Sequence, residues 1–320
     1  MNILLLGFEP NSYTENDLAQ LRTLAPEHEL LITTDRKLIE AHLDRIEIAV
    51  KRFPHDLMTK APQLRWFQQW GAGADWLLRY PDIVQSDLVI TSGSGVHPIP
   101  ITEQILAYLF AFARRLPQAI RSQAQHCWGQ PEWSQLFELA GKTMLLIGVG
   151  AIGERTALLA NALGMRVLGV RRDAATTVPG VEAMFSPDRL LEALPQADFV
   201  VLTVPLTPET HQLIGEKELL VMKPTAYIVN IGRGNVIDEP ALVRALQAGR
   251  LAGAGLDVFA TEPLPTDSPL WDMDNVIITG HYAGATPQYE ERIWKIFLEN
   301  LRRYCAGEPL HNVVDKTLGY

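Results

Sequence analysis

The stretch Met144–Gly153, MLLIGVGAIG, narrows the choice of fold more than any other part of the chain. The run Thr143–Ile147 reads as a buried strand and leads directly into Gly148-x-Gly150-x-x-Gly153; a helical pattern follows from Ile152 to Leu163. Strand, glycine turn and helix in that order form a dinucleotide-binding fingerprint. Gly148 permits the tight turn, Gly150 lets main chain approach a pyrophosphate, and Gly153 lets the helix pack against the strand. Ala151 and Ile152 open that helix, whose first N–H groups and positive dipole end suit phosphate.

The next strand, Arg166–Val170, bears on which dinucleotide is bound. In NAD-specific domains an acid ends this strand and binds the ribose 2′-hydroxyl. Here the strand runs into Arg171-Arg172. Two guanidiniums can grip a 2′-phosphate through charge-assisted bonds, whereas a carboxylate would repel it. NADP(H) is therefore the expected cofactor. NAD(H) stays open because Asp173 lies only one or two positions late and a shifted turn could bring it into use.

A chain of 320 residues allows about two domains. With 47% hydrophobic and 20% charged residues it has the balance of an ordinary globular protein with a sizeable core. A net charge of −9 argues against a nucleic-acid partner. Cys127 and Cys305 form neither a metal nor a redox spacing, so no metal site is expected. Met1–Gly7 reads as a first strand rather than a signal peptide, and no apolar run reaches membrane-span length. The expectation is a cytoplasmic protein without a membrane partner.

Short apolar runs alternate with helical stretches throughout. Ile3–Leu6, Leu30–Thr33, Ile46–Val50, Leu64–Gln68 and Leu88–Thr91 read as one set of strands. Stretches near 143–147, 166–170, 198–203, 226–231, 252–256 and 275–279 form a second set. Such alternation predicts an α/β protein with two doubly wound parallel-sheet domains. Ser186-Pro187 reads as a helix start, as does Asp238 with Pro240. A helical pattern near 101–126 joins the two series, and an amphipathic stretch at 287–304 follows the second. If that last helix returns to the first domain, residues 1–97 plus 286–320 form one discontinuous domain and 98–285 the other. A cleft between the sheets, with connections near 97 and 285, is then expected.

Three ionisable residues stand just after strands of the second series. Arg233 lies in NIGRGNVID, Glu262 in DVFATEPL and His281 in NVIITGHYAGAT. Ligands of open α/β sheets bind beyond the carboxyl ends of strands. With the glycine loop, these segments resemble, in order and along essentially the whole length, the D-isomer-specific 2-hydroxyacid dehydrogenase family, on its glyoxylate/hydroxypyruvate reductase-like branch.

The resemblance implies a flavodoxin-like substrate domain and a Rossmann dinucleotide-binding domain. It implies that Arg233 binds the carboxylate and carbonyl of a 2-oxo acid, whose planar geometry suits a guanidinium fork. His281 is then the general acid–base. Glu262 holds its imidazole and favours the protonated form. Asp257 contacts the nicotinamide carboxamide, and Val204, Pro205, Ile231 and Gly284 complete the cofactor set. The loop Gly71-Ala72-Gly73 after the fourth strand resembles the family's carboxylate-binding loop, where small residues let main-chain N–H groups reach the substrate. Trp128 and Trp133 lie on a segment that, by the same resemblance, reaches across a homodimer. Gly280 departs from the family, which commonly has proline before the histidine. His97 is noted only for its place near a domain connection.

The implied activity is hydride transfer from NADPH to glyoxylate or hydroxypyruvate. A bulkier 2-oxo acid is the alternative within the class. A dinucleotide-sensing interaction module is the alternative outside it.

Overall fold

The protein's structure, a computed structural model, describes residues 1–9 and 13–320. The chain divides into two compact units. One comprises Met1–Val96 with Pro287–Tyr320; the other is His97–Thr286.

The first unit contains β1 (Asn2–Gly7), α1 (Glu15–Leu24), β2 (His28–Ile32), α2 (Arg36–Ala41), β3 (Ile46–Lys51), α3 (His55–Met58), β4 (Trp66–Gln68), α4 (Pro81–Gln85) and β5 (Val89–Thr91). All five strands are parallel, in the order β2-β1-β3-β4-β5. This is the flavodoxin-like order. Successive residues of a strand face opposite sides of the sheet. Ile3 and Leu5 thus enter one core layer, Leu4 and Leu6 the other, and all four are fully buried. A sheet covered on both faces requires such an unbroken apolar strand. At the start of α1 the Thr14 hydroxyl accepts from the Asp17 N–H while the Asp17 carboxylate accepts from the Thr14 N–H.

The second unit begins with α5 (Pro98–Ala113) and α6 (Leu116–Ala124). It continues through β6 (Thr143–Ile147), α7 (Ala151–Ala162), β7 (Arg166–Val170), β8 (Ala183–Phe185), α8 (Leu190–Ala193), β9 (Phe199–Leu202), α9 (Glu216–Val221), β10 (Tyr227–Asn230), α10 (Glu239–Gln247), β11 (Gly253–Leu256) and β12 (Val276–Ile278). Its seven parallel strands run β12-β11-β10-β9-β6-β7-β8. Connections leave β6 in one direction and β9 in the other, so the topological switch point lies between these two. Leu145 and Ile147 face one core layer, Met144 and Leu146 the other. The doubly wound α/β architecture expected from the strand and helix pattern is present in both units.

One local reading needs correction, and one strand carried no sequence signal. The helix expected near 101–126 is two helices, α5 and α6. Arg115 between them adopts a left-handed conformation with φ of 55°, and Pro117 opens α6. Proline suits a first helical turn but cannot continue a helix, because it lacks the N–H and its ring meets the preceding turn. β8, a three-residue edge strand paired with β7, is too short to show a periodicity. Ser186 with Pro187 does open a helical segment, a 3-10 turn at Pro187–Arg189 that runs directly into α8, although the Ser186 side chain makes no capping bond to it. At α10, by contrast, Asp238 caps as expected, its Oδ1 accepting from the Ala241 N–H at 3.0 Å.

The last helix, α11 (Tyr289–Cys305), belongs to the first unit. Ile293, Phe297 and Leu301 recur at helical spacing and are fully buried beside Leu4, Leu6, Trp66 and Trp70. A buried polar network ties it in. Asn300 Nδ2 donates to the His311 carbonyl at 3.1 Å and to Gln68 Oε1 at 3.3 Å, and Asn300 Oδ1 accepts from the His311 N–H. Gln68 Oε1 also accepts from Thr91 Oγ1, which in turn accepts from Trp66 Nε1. The buried polar side chains of Asn300, Gln68, Thr91 and Trp66 therefore all have partners.

Candidate active site

The glycine turn sits where β6 ends, at the switch point. Gly148 has φ of +98° and donates its N–H to the Val170 carbonyl at 3.0 Å. A Cβ at Gly148 would fall 2.7 Å from Val204 Cγ1; one at Gly153 would fall 2.5 Å from the Gly148 carbonyl oxygen. A Cβ at Gly150 would meet no atom within 4 Å. The fold itself thus excludes side chains at the first and third glycines. The middle one leaves open space beside the first turn of α7, and that space with the helix N-terminus fits a pyrophosphate. Ala151 is exposed and Ile152 is half-buried against the core. Val204 flanks the turn, and the Pro205 carbonyl accepts from the Thr210 hydroxyl at 2.6 Å. The Ile231 side chain is only 6% exposed and belongs to the core, so its main chain is the part that can meet a ligand.

Arg171 follows β7 directly. Its N–H donates to the Phe185 carbonyl at 3.0 Å, and its guanidinium lies 3.5 Å from Glu154 on α7. The Asp173 side chain is turned into its own loop, accepting from Thr176 Oγ1 at 2.6 Å and from the Ala175 N–H at 3.2 Å. These bonds hold its carboxyl below the usual range. Arg172 lies near Glu209, whose carboxyl is held low first by the Thr207 hydroxyl and further by that guanidinium.

His281 and Glu262 meet directly. The Nδ1 atom of His281 lies 2.7 Å from Glu262 Oε2, and Glu262 Oε1 accepts from the Phe259 N–H at 3.0 Å. The imidazole is about half exposed. His281 adopts the left-handed conformation at φ of 55°, unusual for a residue with a side chain. Asp257 holds it there. Its carbonyl accepts from the His281 N–H at 2.8 Å, and its buried carboxylate accepts from the N–H groups of Tyr282 at 3.1 Å and Ala283 at 3.0 Å. Thr279 Oγ1 donates to the same carboxylate at 2.5 Å, so the Tyr108 hydroxyl, 2.5 Å from Thr279 Oγ1, must donate to it. Burial pushes the Tyr108 phenol up to about 12, which keeps that proton in place.

Arg233 follows β10 between two glycines that the fold requires. A Cβ at Gly232 would lie 2.6 Å from the Val204 carbonyl oxygen, and one at Gly234 only 1.8 Å from the Phe259 carbonyl carbon. Gly234 therefore seats the Arg233 loop against the segment whose Phe259 N–H binds Glu262. Asn230 fixes the turn through its side chain, accepting from the Gly232 N–H and donating to the Arg233 carbonyl, both at 3.0 Å. The guanidinium donates to the Gly232 carbonyl at 2.9 Å. Gly284 allows the His97 ring to approach, with Nδ1 3.3 Å from its carbonyl oxygen. Burial, and then Arg233, hold the His97 imidazole below its ordinary value against the opposing pull of the Gly284 carbonyl.

The second unit thus brings together the glycine turn, Val204, Arg233, Asp257, Glu262, His281 and Gly284 at the carboxyl ends of its strands. Gly71, Ala72 and Gly73 follow β4 in the first unit. Sequence reasoning missed Tyr108, Thr279, Gly232 and Gly234 and gave His97 little weight. Of these, only the paired glycines flanking Arg233 carry a local signal. Among the described residues no cluster of His, Cys, Asp and Glu could hold a metal ion. No helix among them is long and apolar enough to cross a membrane.

The family model for the D-isomer specific 2-hydroxyacid dehydrogenase NAD binding domain matches residues 106–283. A glyoxylate reductase of Korarchaeum cryptofilum is 36% identical over 269 residues, 82% of this chain and 79% of the relative. A D-3-phosphoglycerate dehydrogenase of Methanocaldococcus jannaschii is 33% identical over 289 residues; the match covers 88% of this chain but 54% of that longer protein. A crystal structure of an NADPH-dependent glyoxylate/hydroxypyruvate reductase from Sinorhizobium meliloti, in complex with NADP and sulfate, superposes over 100% of both chains with a TM-score of 0.84 at 27% identity. A flavodoxin-like unit, a glycine turn at the switch point of a seven-stranded sheet, and these matches place the chain in the D-isomer specific 2-hydroxyacid dehydrogenase family.

Proposed function

We propose that the protein reduces a small 2-oxo acid, glyoxylate or hydroxypyruvate, to the D-2-hydroxy acid with NADPH. The observation that carries the reading is the 2.7 Å contact between His281 and Glu262 beside the Arg233 loop. Arg233 binds the substrate carboxylate, and the loop Gly71-Ala72-Gly73 offers main-chain N–H groups to a carboxylate. Glu262 engages Nδ1 and so leaves Nε2 of His281 to carry the proton. That proton passes to the carbonyl oxygen, giving the hydroxyl of the product. When bound, the nicotinamide supplies the hydride that reduces the carbonyl carbon. Gly148, Gly150, Ala151, Ile152 and Gly153 hold the pyrophosphate. Val204, Pro205, Ile231, Asp257 and Gly284 border the rest of the cofactor. Arg171 and Arg172 face a 2′-phosphate, and the engagement of Asp173 in its own turn supports NADP(H) over NAD(H).

The proposal includes a homodimer in the cytoplasm. Trp128 and Trp133 are 91% and 89% exposed, and Ile120 on α6 is also exposed, which suits a face covered by a second copy. Free cysteines at 127 and 305 suit a reducing compartment.

The test is oxidation of NADPH and NADH with a panel of 2-oxo acids from glyoxylate to bulky aromatic ones, beside aldehydes lacking a carboxylate. The expected result is fastest kcat/KM with NADPH and the smallest acids. Equal reduction of simple aldehydes would remove Arg233 as an anchor. Light scattering of the purified protein tests the dimer; a monomer at micromolar concentration refutes it.

A further inference from the structure

Gln69 stands between β4 and the loop assigned above to the substrate, and its side chain is almost entirely spent on that loop. The residue is 7% exposed. Its Nε2 donates to the Gly71 carbonyl at 2.8 Å and to the Gly73 carbonyl at 2.6 Å, while its Oε1 accepts from Trp76 Nε1 at 2.5 Å. An indole N–H can only donate, so it selects the amide oxygen and turns both amide protons toward the loop. Trp76 is itself immobilised. It stacks on His55 with ring centroids 3.9 Å apart and meets Phe67 edge-on at 6.3 Å. The Gln69 main chain is fixed on both sides: its N–H donates to the Thr91 carbonyl at 2.8 Å, and its carbonyl accepts from Gln68 Nε2 at 2.8 Å. The Gly71 carbonyl accepts a further bond from the Gly93 N–H at 2.9 Å.

The peptide units of this loop are trans. In a trans peptide the N–H points opposite to the carbonyl it follows. Drawing the Gly71 and Gly73 carbonyls toward Gln69 therefore aims the N–H groups of Ala72 and Ala74 the other way. We propose that Gln69, oriented by Trp76, is the positioning residue that presents the loop's main-chain donors to the substrate carboxylate. The clamp rests on the reading of this loop as the carboxylate-binding segment. It makes affinity for the acid depend on a side chain that never touches the acid.

Gln69→Glu preserves size and the bond from Trp76 but sets a carboxylate against two carbonyl oxygens, so the loop must turn. The expected result is a rise of about 10- to 100-fold in KM for the 2-oxo acid, with kcat within about threefold of wild type and KM for NADPH unchanged. Trp76→Phe keeps the ring stack and removes only the indole donor; KM for the acid should rise about three- to tenfold by the same split. A purely structural role would instead lower the melting temperature and leave KM for the acid as it was, and that outcome overturns the clamp. If Gln69→Glu does not fold, Trp76→Phe decides by the same criteria. A wild type that turns over none of the acids overturns the underlying reading of the loop and the clamp with it. Wild-type turnover with unaltered KM in both variants overturns the clamp alone.

Discussion

Gly150→Ala should separate binding from folding. Nothing lies within 4 Å of a Cβ at this position, and the backbone has φ of −100° and ψ of −160°, which alanine accepts. Alanine is poorer than glycine at a helix N-cap by roughly 0.5–1 kcal/mol. It also stiffens the unfolded chain, which stabilises by about 0.4–1 kcal/mol. The two effects nearly cancel, so the apo protein should melt within about 2–4 °C of wild type. The added methyl instead occupies the space assigned to the pyrophosphate. Withdrawing main-chain donors from a charged group by the width of a methyl should weaken the bonds by about 1.5–3 kcal/mol, or roughly 10- to 150-fold in Kd. Gly153→Ala should do the reverse. Its methyl would sit 2.5 Å from a carbonyl oxygen of the β6–α7 turn, so the helix must move off the strand, destabilising by about 1–3 kcal/mol. Thermal melts without cofactor and fluorescence titrations with NADPH read the two quantities apart. Unchanged NADPH affinity in Gly150→Ala would refute the placement of the phosphates.

Four further outcomes are expected. Arg233→Lys keeps the charge but loses the planar fork and the bond to the Gly232 carbonyl; kcat/KM for glyoxylate should fall by about two orders of magnitude with NADPH binding retained, as steady-state kinetics will show. Arg171→Asp should reduce the preference for NADPH over NADH by about tenfold. It should not approach the larger effect of a fully buried pair, because the guanidinium is only half-buried and already faces Glu154; kinetics with both cofactors at one ionic strength decide. Asn300→Ala removes the partner of the His311 N–H and carbonyl and one of the two bonds to Gln68 Oε1, and should lower stability by about 2–4 kcal/mol in urea titrations, with NADPH affinity intact. His97 binds a proton less readily folded than unfolded, so protonation opposes folding and stability falls as pH drops below the ordinary histidine value. His97→Asn should flatten that fall between about pH 7 and pH 5 in unfolding curves.

What was legible in the sequence was what local chemistry encodes. An apolar run closed by glycines can only be a buried strand feeding a turn, and residues 143–153 fold so. The arginine, glutamate and histidine segments stood out because each follows such a run. The unread part depends on contacts between distant segments. Thr279 and Tyr108 lie 171 residues apart, yet their hydroxyls meet behind Asp257. No spacing announces that pair. Gln69 looked like an ordinary residue at a strand end, because its partners at Gly71, Gly73 and Trp76 are set by a loop whose path the sequence does not state. The break at Arg115 was readable in principle from Pro117, but the apolar periodicity on both sides hid it. β8 lacked the length to carry a pattern.

The order in which the units are completed follows from the place of α11 in the chain. During synthesis β1 to β5 emerge before α11, but one side of their sheet, with Leu4, Leu6, Val50 and Trp66, is covered only in part by Leu21 of α1 and needs Ile293, Phe297 and Leu301 to complete it. Residues 97–286 come between. At about 5–20 residues per second the nascent chain carries that partly covered apolar face for tens of seconds, while the contiguous second unit emerges with its own core complete. Of the two units, the one whose strands emerge earlier is completed later, and in that interval the part of its sheet that α11 will cover is the surface a chaperone would have to shield.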